Sequence, residues 1–253
     1  DHEASPSSIK VYVRVRPPAN NDRESDLVVE VLSDVETHKL EQNRTLTHDS
    51  YNHLEITFDQ AFDPTVSQED IYDRFNAVVP RVLEGYNVTI FAYGQTGSGK
   101  THTMFGSSAG DDLISASDCE SSSSNAGVIP RTINQVFSKV KSASNARIFC
   151  SFLQIYNEKI YDLLQVTPKH SGHKKPKPLS IHESKVEGIF VEGLTEFGAE
   201  RAADCIELLL KGVKNRTVRQ TSMNAKSSRS HSIFQLLYIF PYTTLFRSRS
   251  EER

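Results

Sequence analysis

The sequence is short of the features that define disulfide-rich, metal-binding and strongly charged proteins. Its 253 residues include three cysteines, which are far apart and show no metal-ligand spacing: Cys119, Cys150 and Cys205. An odd, scattered set of this kind indicates free thiols in a reducing cytosol rather than a disulfide framework. The formal net charge is −3, so composition gives no support for general binding to nucleic acid or to an anionic membrane.

The sequence also lacks a secretion signal and a long apolar run. Residues 1–8 contain no basic region followed by an apolar core, and we expect them to form a disordered leader. The longest late apolar run, residues 236–240, is followed by Pro241 and is far too short to span a bilayer, so we expect no membrane insertion. A hydrophobic content of 37% fits one large α/β domain or a domain with tails.

The most informative feature that is present is a phosphate-binding loop. Residues 94–101 read GQTGSGKT, matching G-x-x-x-x-G-K-[ST], and they follow an apolar run, 88–93, that predicts a buried parallel strand. The glycines allow the main chain to curl so that successive N–H groups point at phosphate oxygens. Lys100 can reach the β- and γ-phosphates, and the Thr101 hydroxyl can ligate Mg²⁺. The alternative is a Gly/Ser-rich surface turn that ends in Lys-Thr.

Periodicity and capping signals predict the elements around this loop. A helix is expected from Ser67, which forms a variant capping box with Asp70, to Gly85. Residues 105–126, rich in Ser, Asp and Gly, predict a mobile surface loop. The mixture of elements predicts an α/β fold with a central, mostly parallel twisted sheet flanked by helices. The remaining strands and helices are expected over residues 9–15, 27–31, 56–58, 130–141, 146–156, 200–214 and 233–239.

A second polar cluster lies at residues 224–231, which read NAKSSRSH. Taken alone, it predicts a loop before a strand, because Ser and Asn clusters are ordinary loop material. Beside a phosphate-binding loop, it also fits the element with which NTPases sense the γ-phosphate through hydroxyl groups and Mg²⁺.

Together, these segments resemble the kinesin superfamily. Residues 94–104 resemble the phosphate-binding loop of that family, and residues 224–231 resemble its switch I. The ordered combination of motifs is specific and implies a kinesin-like P-loop NTPase fold, with a partial motor domain over residues 9–240. Weaker resemblances follow the order of the family's motifs, at residues 14–17, 58–62, 86–94, 127–131, 158–164, 215–216 and 221.

The resemblance implies nucleotide-binding roles for named residues. Arg14 and Pro17 should line the adenine pocket, and His102 should pack against the base. Without the resemblance, His102 would be interpreted as a histidine on a helix surface. The phosphate-binding residues would be Gly94, Gln95, Thr96, Gly97, Ser98, Gly99, Lys100 and Thr101.

The resemblance also implies catalytic roles. Asn224 should contact the γ-phosphate region, and Ser227 and Ser228 should position or deprotonate the attacking water. Thr101 and Ser228 should hold Mg²⁺, directly or through water. Arg229 stands where the switch I arginine of the family pairs with a switch II glutamate. The alternative is an exposed charge on a loop, whose ion pair would contribute under ~1 kcal/mol. The implied catalytic group is Lys100, Asn224, Ser227, Ser228 and Arg229.

These roles imply an ATP-dependent microtubule motor that binds ATP/ADP with Mg²⁺ and tubulin, in the cytoplasm and on the cytoskeleton. The basic segment 168–178 fits either a contact with the acidic microtubule surface or a solvated loop. One family element is missing, because no D-x-x-G switch II follows His231 and residues 241–253 do not match the family. We therefore expect a truncated motor domain with a non-native tail, poor ATP hydrolysis and exposed apolar sheet edges.

Two other functions stay open on the sequence alone. A phosphoryl-transfer kinase would also use a phosphate-binding loop, but it leaves residues 224–231 unexplained. A non-motile nucleotide-binding or microtubule-binding module would explain the missing switch II, but it does not explain an intact loop and switch I.

Overall fold

The computed structural model describes most of the chain between residues 9 and 239. The described ranges are 9–18, 29–32, 44–49, 52–106, 116–119, 123–140, 146–165, 177–185, 188–222 and 230–239. The predicted leader, 1–8, and the predicted tail, 241–253, lie outside them. The chain divides into two compact units, Asp1–Ile71 and Tyr72–Arg253.

The described residues of the first unit form two small sheets. Strands β1 (Tyr12–Arg14) and β5 (Gln60–Phe62) are parallel, with Val13 opposite Ala61. Ala61 and Phe62 are buried. A separate antiparallel sheet has the order β2-β3-β4, formed by β2 (Val29–Leu32), β3 (Arg44–Asp49) and β4 (Asn52–Thr57).

The predicted capping box at Ser67 is confirmed. Helix α1 covers Gln68–Asp73, and the Asp70 backbone N–H donates to Ser67 Oγ at 3.1 Å. In return, the backbone N–H and the hydroxyl of Ser67 donate to Asp70 Oδ2 at 3.3 and 2.6 Å. This exchange satisfies N–H groups that the start of a helix leaves without an intrahelical acceptor.

The predicted helix from Ser67 to Gly85 is instead two helices, α1 and α2 (Val78–Leu83), joined by residues 74–77. Pro80 lies in the first turn of α2 and has no N–H to donate to the turn before it. A helix can begin just before such a proline but cannot run regularly through it, which accounts for the interruption.

The second unit is organised around β6 (Arg147–Tyr156), which confirms the predicted strand at 146–156. This strand pairs antiparallel with β7 (Lys159–Asp162), β10 (Phe197–Ala199) and β11 (Ser230–Ile239). The β6–β7 turn uses Asn157 and Glu158 at φ 48° and 59°, as a two-residue hairpin of this handedness requires. A separate hairpin pairs β8 (Ser180–Ser184) with β9 (Gly188–Glu192).

Strand orientation therefore differs from the sequence-based expectation of one mostly parallel sheet. In the described part of the chain, the strands form four small sheets, and β1–β5 is the one parallel pair. Three of the antiparallel pairs, β3–β4, β6–β7 and β8–β9, join strands only two or three residues apart. A turn of that length can reverse the chain, whereas a parallel pair needs a long crossover.

In the described part of the second unit, three further helices contribute side chains to the core that includes β6 residues: α3 (Lys100–Phe105), α4 (Val128–Val140) and α5 (Ala202–Ser222). The prediction for α4 is confirmed, and α5 continues eight residues beyond the predicted end at Lys214. The fully buried core side chains come from several elements and include Phe152, Ile133, Leu163, Leu164 and Leu209. No helix among the described residues is long and apolar enough to cross a membrane.

Helix α5 comes very close to β6 at one glycine. A Cβ atom added to Gly212 would collide with the ring of Phe152. That ring also lies edge-on to Phe234 of β11, with centroids 5.5 Å apart. The missing side chain at residue 212 is therefore what allows the helix to pack directly on the strand.

One sequence-based prediction in this unit is wrong, and another is wrong in part. The strand predicted over 88–93 is not formed, and Phe91 and Tyr93 are 75% and 95% exposed, because no described strand supplies the run with hydrogen bonds. The predicted surface loop at 105–126 is not wholly on the surface. Within it, a short 3-10 helix, Ser117–Cys119, places Cys119 in the core, and Asn134 Nδ2 donates to the Cys119 carbonyl at 3.1 Å.

Candidate nucleotide-binding site

The loop predicted to bind phosphate has a main chain that requires glycine. Gly94, Gly97 and Gly99 have φ values of 152°, 83° and 94°, which side-chain-bearing residues rarely adopt. At Gly94, an added Cβ would also meet the Ser98 hydroxyl. These positions explain why the motif has glycine there, since any other residue would strain the curl of the loop.

Lys100 folds back across this loop. Its Nζ donates to the carbonyl oxygens of Gly94 and Gln95 at 2.8 and 2.7 Å. These two bonds connect the first residue of helix α3 to the first two residues of the loop. The Lys100 ammonium group therefore lies against the main chain of the loop that the sequence predicts to bind nucleotide phosphates.

Thr101 and His102 are both exposed in the first turn of α3. The helix is held at its other end by the buried side chain of Phe105, and the Gly106 N–H donates to the His102 carbonyl at 3.0 Å. The hydroxyl oxygen of Thr101 is the hard ligand type that Mg²⁺ prefers. A cationic, glycine-rich loop followed by a hydroxyl fits a magnesium–nucleotide, so the residues present suit the predicted cofactor.

Arg14, predicted to line an adenine pocket, has a partner that the sequence does not reveal. Its Nη1 donates to Gln68 Oε1 at 2.8 Å, and Gln68 is 6% exposed. Desolvation by burial lowers the pKa of Arg14. Gln68 directly follows the N-cap Ser67, a position that predicts only the start of a helix, so periodicity gave no signal for this contact.

The three residues predicted to surround the adenine are described in different units. Arg14 and Pro17 belong to the first unit, where Pro17 is exposed, and His102 belongs to the second. The adenine pocket therefore stays a prediction, as do the roles assigned to its residues.

The predicted switch I residues Asn224, Ser227, Ser228 and Arg229 lie outside the described residues, as does most of the basic segment 168–178. The structure does describe the elements on either side of switch I. Helix α5 ends at Ser222, and β11 begins at Ser230, which lies opposite Tyr156 of β6. The switch I segment is therefore bounded by two regular elements.

Hydrogen bonds from two of its own side chains tie α5 to the segment after β7. Asn215 Nδ2 donates to the Leu163 carbonyl at 2.6 Å, and Lys211 Nζ donates to the Leu164 carbonyl at 3.1 Å. The Leu164 N–H in turn donates to Asp162 Oδ1 at 2.7 Å. No sequence pattern pointed to these contacts, because they join segments about 50 positions apart.

Comparison with known proteins settles the family. The kinesin motor domain family model matches residues 14–241. The chain belongs to the kinesin family. It is 37% identical over 241 residues to Kinesin-like protein KIF15 of Homo sapiens, and 36% identical over 238 residues to Kinesin-like protein 3 of Schizosaccharomyces pombe. These alignments cover 90% and 91% of this chain, and 16% and 38% of the two relatives.

A solved structure of a fast kinesin gives the same result for the fold. It superposes with a TM-score of 0.74 at 34% identity, over 90% of this chain and 59% of that kinesin. The predicted kinesin-like P-loop NTPase fold is thereby confirmed. This chain spans less than two thirds of the length of each of these three kinesins. Kinesins as a family are microtubule-stimulated ATPases.

Proposed function

We propose that this chain is the nucleotide-binding part of an ATP-dependent microtubule motor, which couples ATP binding and hydrolysis to microtubule binding and movement. The observation that carries the proposal is the position of Lys100, 2.8 and 2.7 Å from the carbonyl oxygens of Gly94 and Gln95. A cation is held against a glycine loop, in a chain of the kinesin family. The proposed setting is the cytoplasm, on the microtubule cytoskeleton, with tubulin as the macromolecular partner.

The loop and Lys100 would act by electrostatics and positioning. As the γ-phosphoryl group transfers to water, negative charge spreads over its oxygens, and a fixed ammonium with main-chain N–H donors stabilises that charge. Thr101 and Ser228 would hold Mg²⁺, which, when bound, neutralises part of the charge on the phosphates. Arg14, Pro17 and His102 would bind the adenine of ATP or ADP.

Switch I would provide the remaining groups. Ser227 and Ser228 would orient the attacking water, Asn224 would contact the γ-phosphate region, and Arg229 would help to close the site. After hydrolysis, loss of the γ-phosphate would release these contacts, and an order–disorder change of that kind can alter the affinity for microtubules.

A non-motile nucleotide-binding or microtubule-binding module is the second candidate. One observation favours it: the residues before the loop, 88–93, are not paired in a sheet, and Phe91 and Tyr93 are exposed. A loop that follows an unpaired segment is held less firmly than one that follows a central strand. Because catalysis needs more exact positioning than binding does, catalysis would weaken first.

Nucleotide binding tests the site directly. Hydrogen bonds to charged groups contribute about 1.5–3 kcal/mol, and each 1.4 kcal/mol is about tenfold in affinity. Lys100→Ala should therefore weaken binding of a fluorescent ATP analogue by about ten- to a hundredfold. Lys139→Ala removes an exposed lysine from α4 and is the matched control. Equal affinity of Lys100→Ala and the unmodified chain would refute the site.

Co-sedimentation with microtubules, with and without a non-hydrolysable ATP analogue, separates the functions. A motor should bind microtubules with an affinity that depends on the nucleotide. A non-motile module should bind equally in both conditions, and a phosphoryl-transfer kinase should stay in the supernatant.

A further inference from the structure

We propose that Cys150 and Cys205 form an oxidisable dithiol, a buried site that a small peroxide converts into an intramolecular disulfide. The proposal concerns a modification of the core of the second unit and does not depend on the nucleotide-binding function.

The two sulfur atoms are already in contact. Cys150 Sγ and Cys205 Sγ lie 2.8 Å apart, with either thiol able to donate the hydrogen bond between them, and both residues are 0% exposed. A disulfide bond is about 2.05 Å long, so the sulfur atoms need to approach by less than about 1 Å. The pair comes from residues 55 positions apart, so proximity is a property of the fold and not of the local sequence.

Both cysteines lie on elements that the fold holds firmly. Cys150 is in the interior of β6, opposite Phe197 of β10 on one side and Leu236 of β11 on the other. Cys205 lies near the start of α5, which the side chains of Lys211 and Asn215 tie to the segment after β7. The distance between the thiols is therefore set by a packed helix–sheet contact.

The burial of the two thiols determines which oxidants can react with them. The hydrogen bond with Cys150 and, after it, burial raise the pKa of the Cys205 thiol, so little thiolate is present and reaction in the folded state is slow. A peroxide molecule is small enough to enter through brief local openings, whereas a bulky disulfide such as oxidised glutathione is not. Slow, size-selective oxidation is the expected behaviour.

The chemistry balances with hydrogen peroxide as the oxidant. One sulfur attacks a peroxide oxygen and the O–O bond breaks, giving a sulfenic acid and one water. The second sulfur then attacks the sulfenic sulfur; the S–S bond forms, the S–O bond breaks, and the hydroxyl leaves as a second water with the thiol proton. The sulfur pair loses two electrons, and the peroxide gains them.

The test is peroxide treatment of the folded chain, followed by thiol counting in denaturant and non-reducing peptide mapping. The three free thiols should fall to one, the intact mass should fall by two hydrogen atoms, and one linked peptide should join Cys150 to Cys205. A thiol reductant should restore all three thiols. Oxidised glutathione under the same conditions should leave the three thiols intact.

The matched controls use the third cysteine and the unfolded chain. Cys119→Ala should retain the cross-link, and Cys205→Ala should lose it. In denaturant, loop closure favours the shorter span between Cys119 and Cys150, so the preferred linkage should change on unfolding. This comparison uses the unmodified chain, so it does not depend on whether the cysteine variants fold. Three remaining thiols after peroxide treatment, or the same mixture of linkages in folded and unfolded chains, would overturn the proposal.

Discussion

Strand β6 and the run at 88–93 are both apolar segments that the sequence predicts as buried strands, and their surroundings are opposite. β6 has a hydrogen-bonded neighbour on each side, and its Phe152 is 0% exposed. Within the described residues, the run at 88–93 has no paired strand, and Phe91 is 75% exposed. An apolar sequence becomes a buried strand only where partners satisfy its main-chain N–H and C=O groups.

The difference has an energetic consequence. Full burial of an aromatic side chain contributes about 1.5–3 kcal/mol through the hydrophobic effect. β6 realises this gain, since Phe152 packs in the core with Phe105 and Phe234. The run at 88–93 does not, and it leaves the apolar side chains of Phe91 and Tyr93 exposed to water.

The largest expected effect compares the same substitution in the two regions. Phe152→Ala should lower the free energy of unfolding by about 3–5 kcal/mol, because it leaves a cavity in the core. Phe91→Ala is the matched control and should stay within about 0.5 kcal/mol of the unmodified chain. Urea denaturation followed by circular dichroism measures both. Similar losses in the two variants would show that the two runs are equally buried, and the comparison would fail.

A smaller effect is expected where the hydrogen-bond partners are local. Ser67→Ala removes the hydroxyl that caps α1 and should cost about 1 kcal/mol, as N-cap substitutions do. The same urea titration measures it, with Ser67→Thr as the control that keeps a hydroxyl at the N-cap. A loss in Ser67→Ala no larger than that in Ser67→Thr would show that the cap is not formed in solution.

The smallest expected effect is a pH dependence of stability that comes from the partly exposed Asp59. Its carboxylate accepts the Val11 N–H at 2.7 Å and a bond from Lys10 Nζ at 3.1 Å, and these contacts, the backbone one first, lower its pKa. A lowered folded-state pKa stabilises the fold above the unfolded value and loses that contribution as the pH falls through the folded value.

The melting temperature of Asp59→Asn should therefore fall below that of the unmodified chain at pH 6, and this gap should close as the pH is lowered below about 4, the ordinary range of aspartate. A gap that stays constant or widens in acid would contradict the role given to the carboxylate.

What the sequence could predict depends on where the partners lie. The capping box of Ser67 and Asp70 closes within four residues, and the periodicity of α4 is complete in its own thirteen residues, so both were predictable. The exposure of 88–93 and the contact of Arg14 with Gln68 depend on distant segments, which periodicity does not report. The buried Cys119 is a similar case, because composition alone described its segment as polar.

The same limit applies to the candidate site. The glycine positions and Lys100 were predictable because the phosphate-binding loop is contiguous in sequence, and its hydrogen bonds join residues only five or six positions apart. The contacts of Asn215 and Lys211 with the segment after β7 were not, since they depend on how α5 packs.

The close approach of α5 to β6 at Gly212 has a consequence for the two thiols. Because a single methyl group at this position would collide with Phe152, the spacing between α5 and β6 is set by what residue 212 lacks. The rate at which Cys150 and Cys205 become linked should then depend on that spacing and report changes in it. Any change that pushes the helix outward by a fraction of an ångström should slow the reaction long before it unfolds the protein.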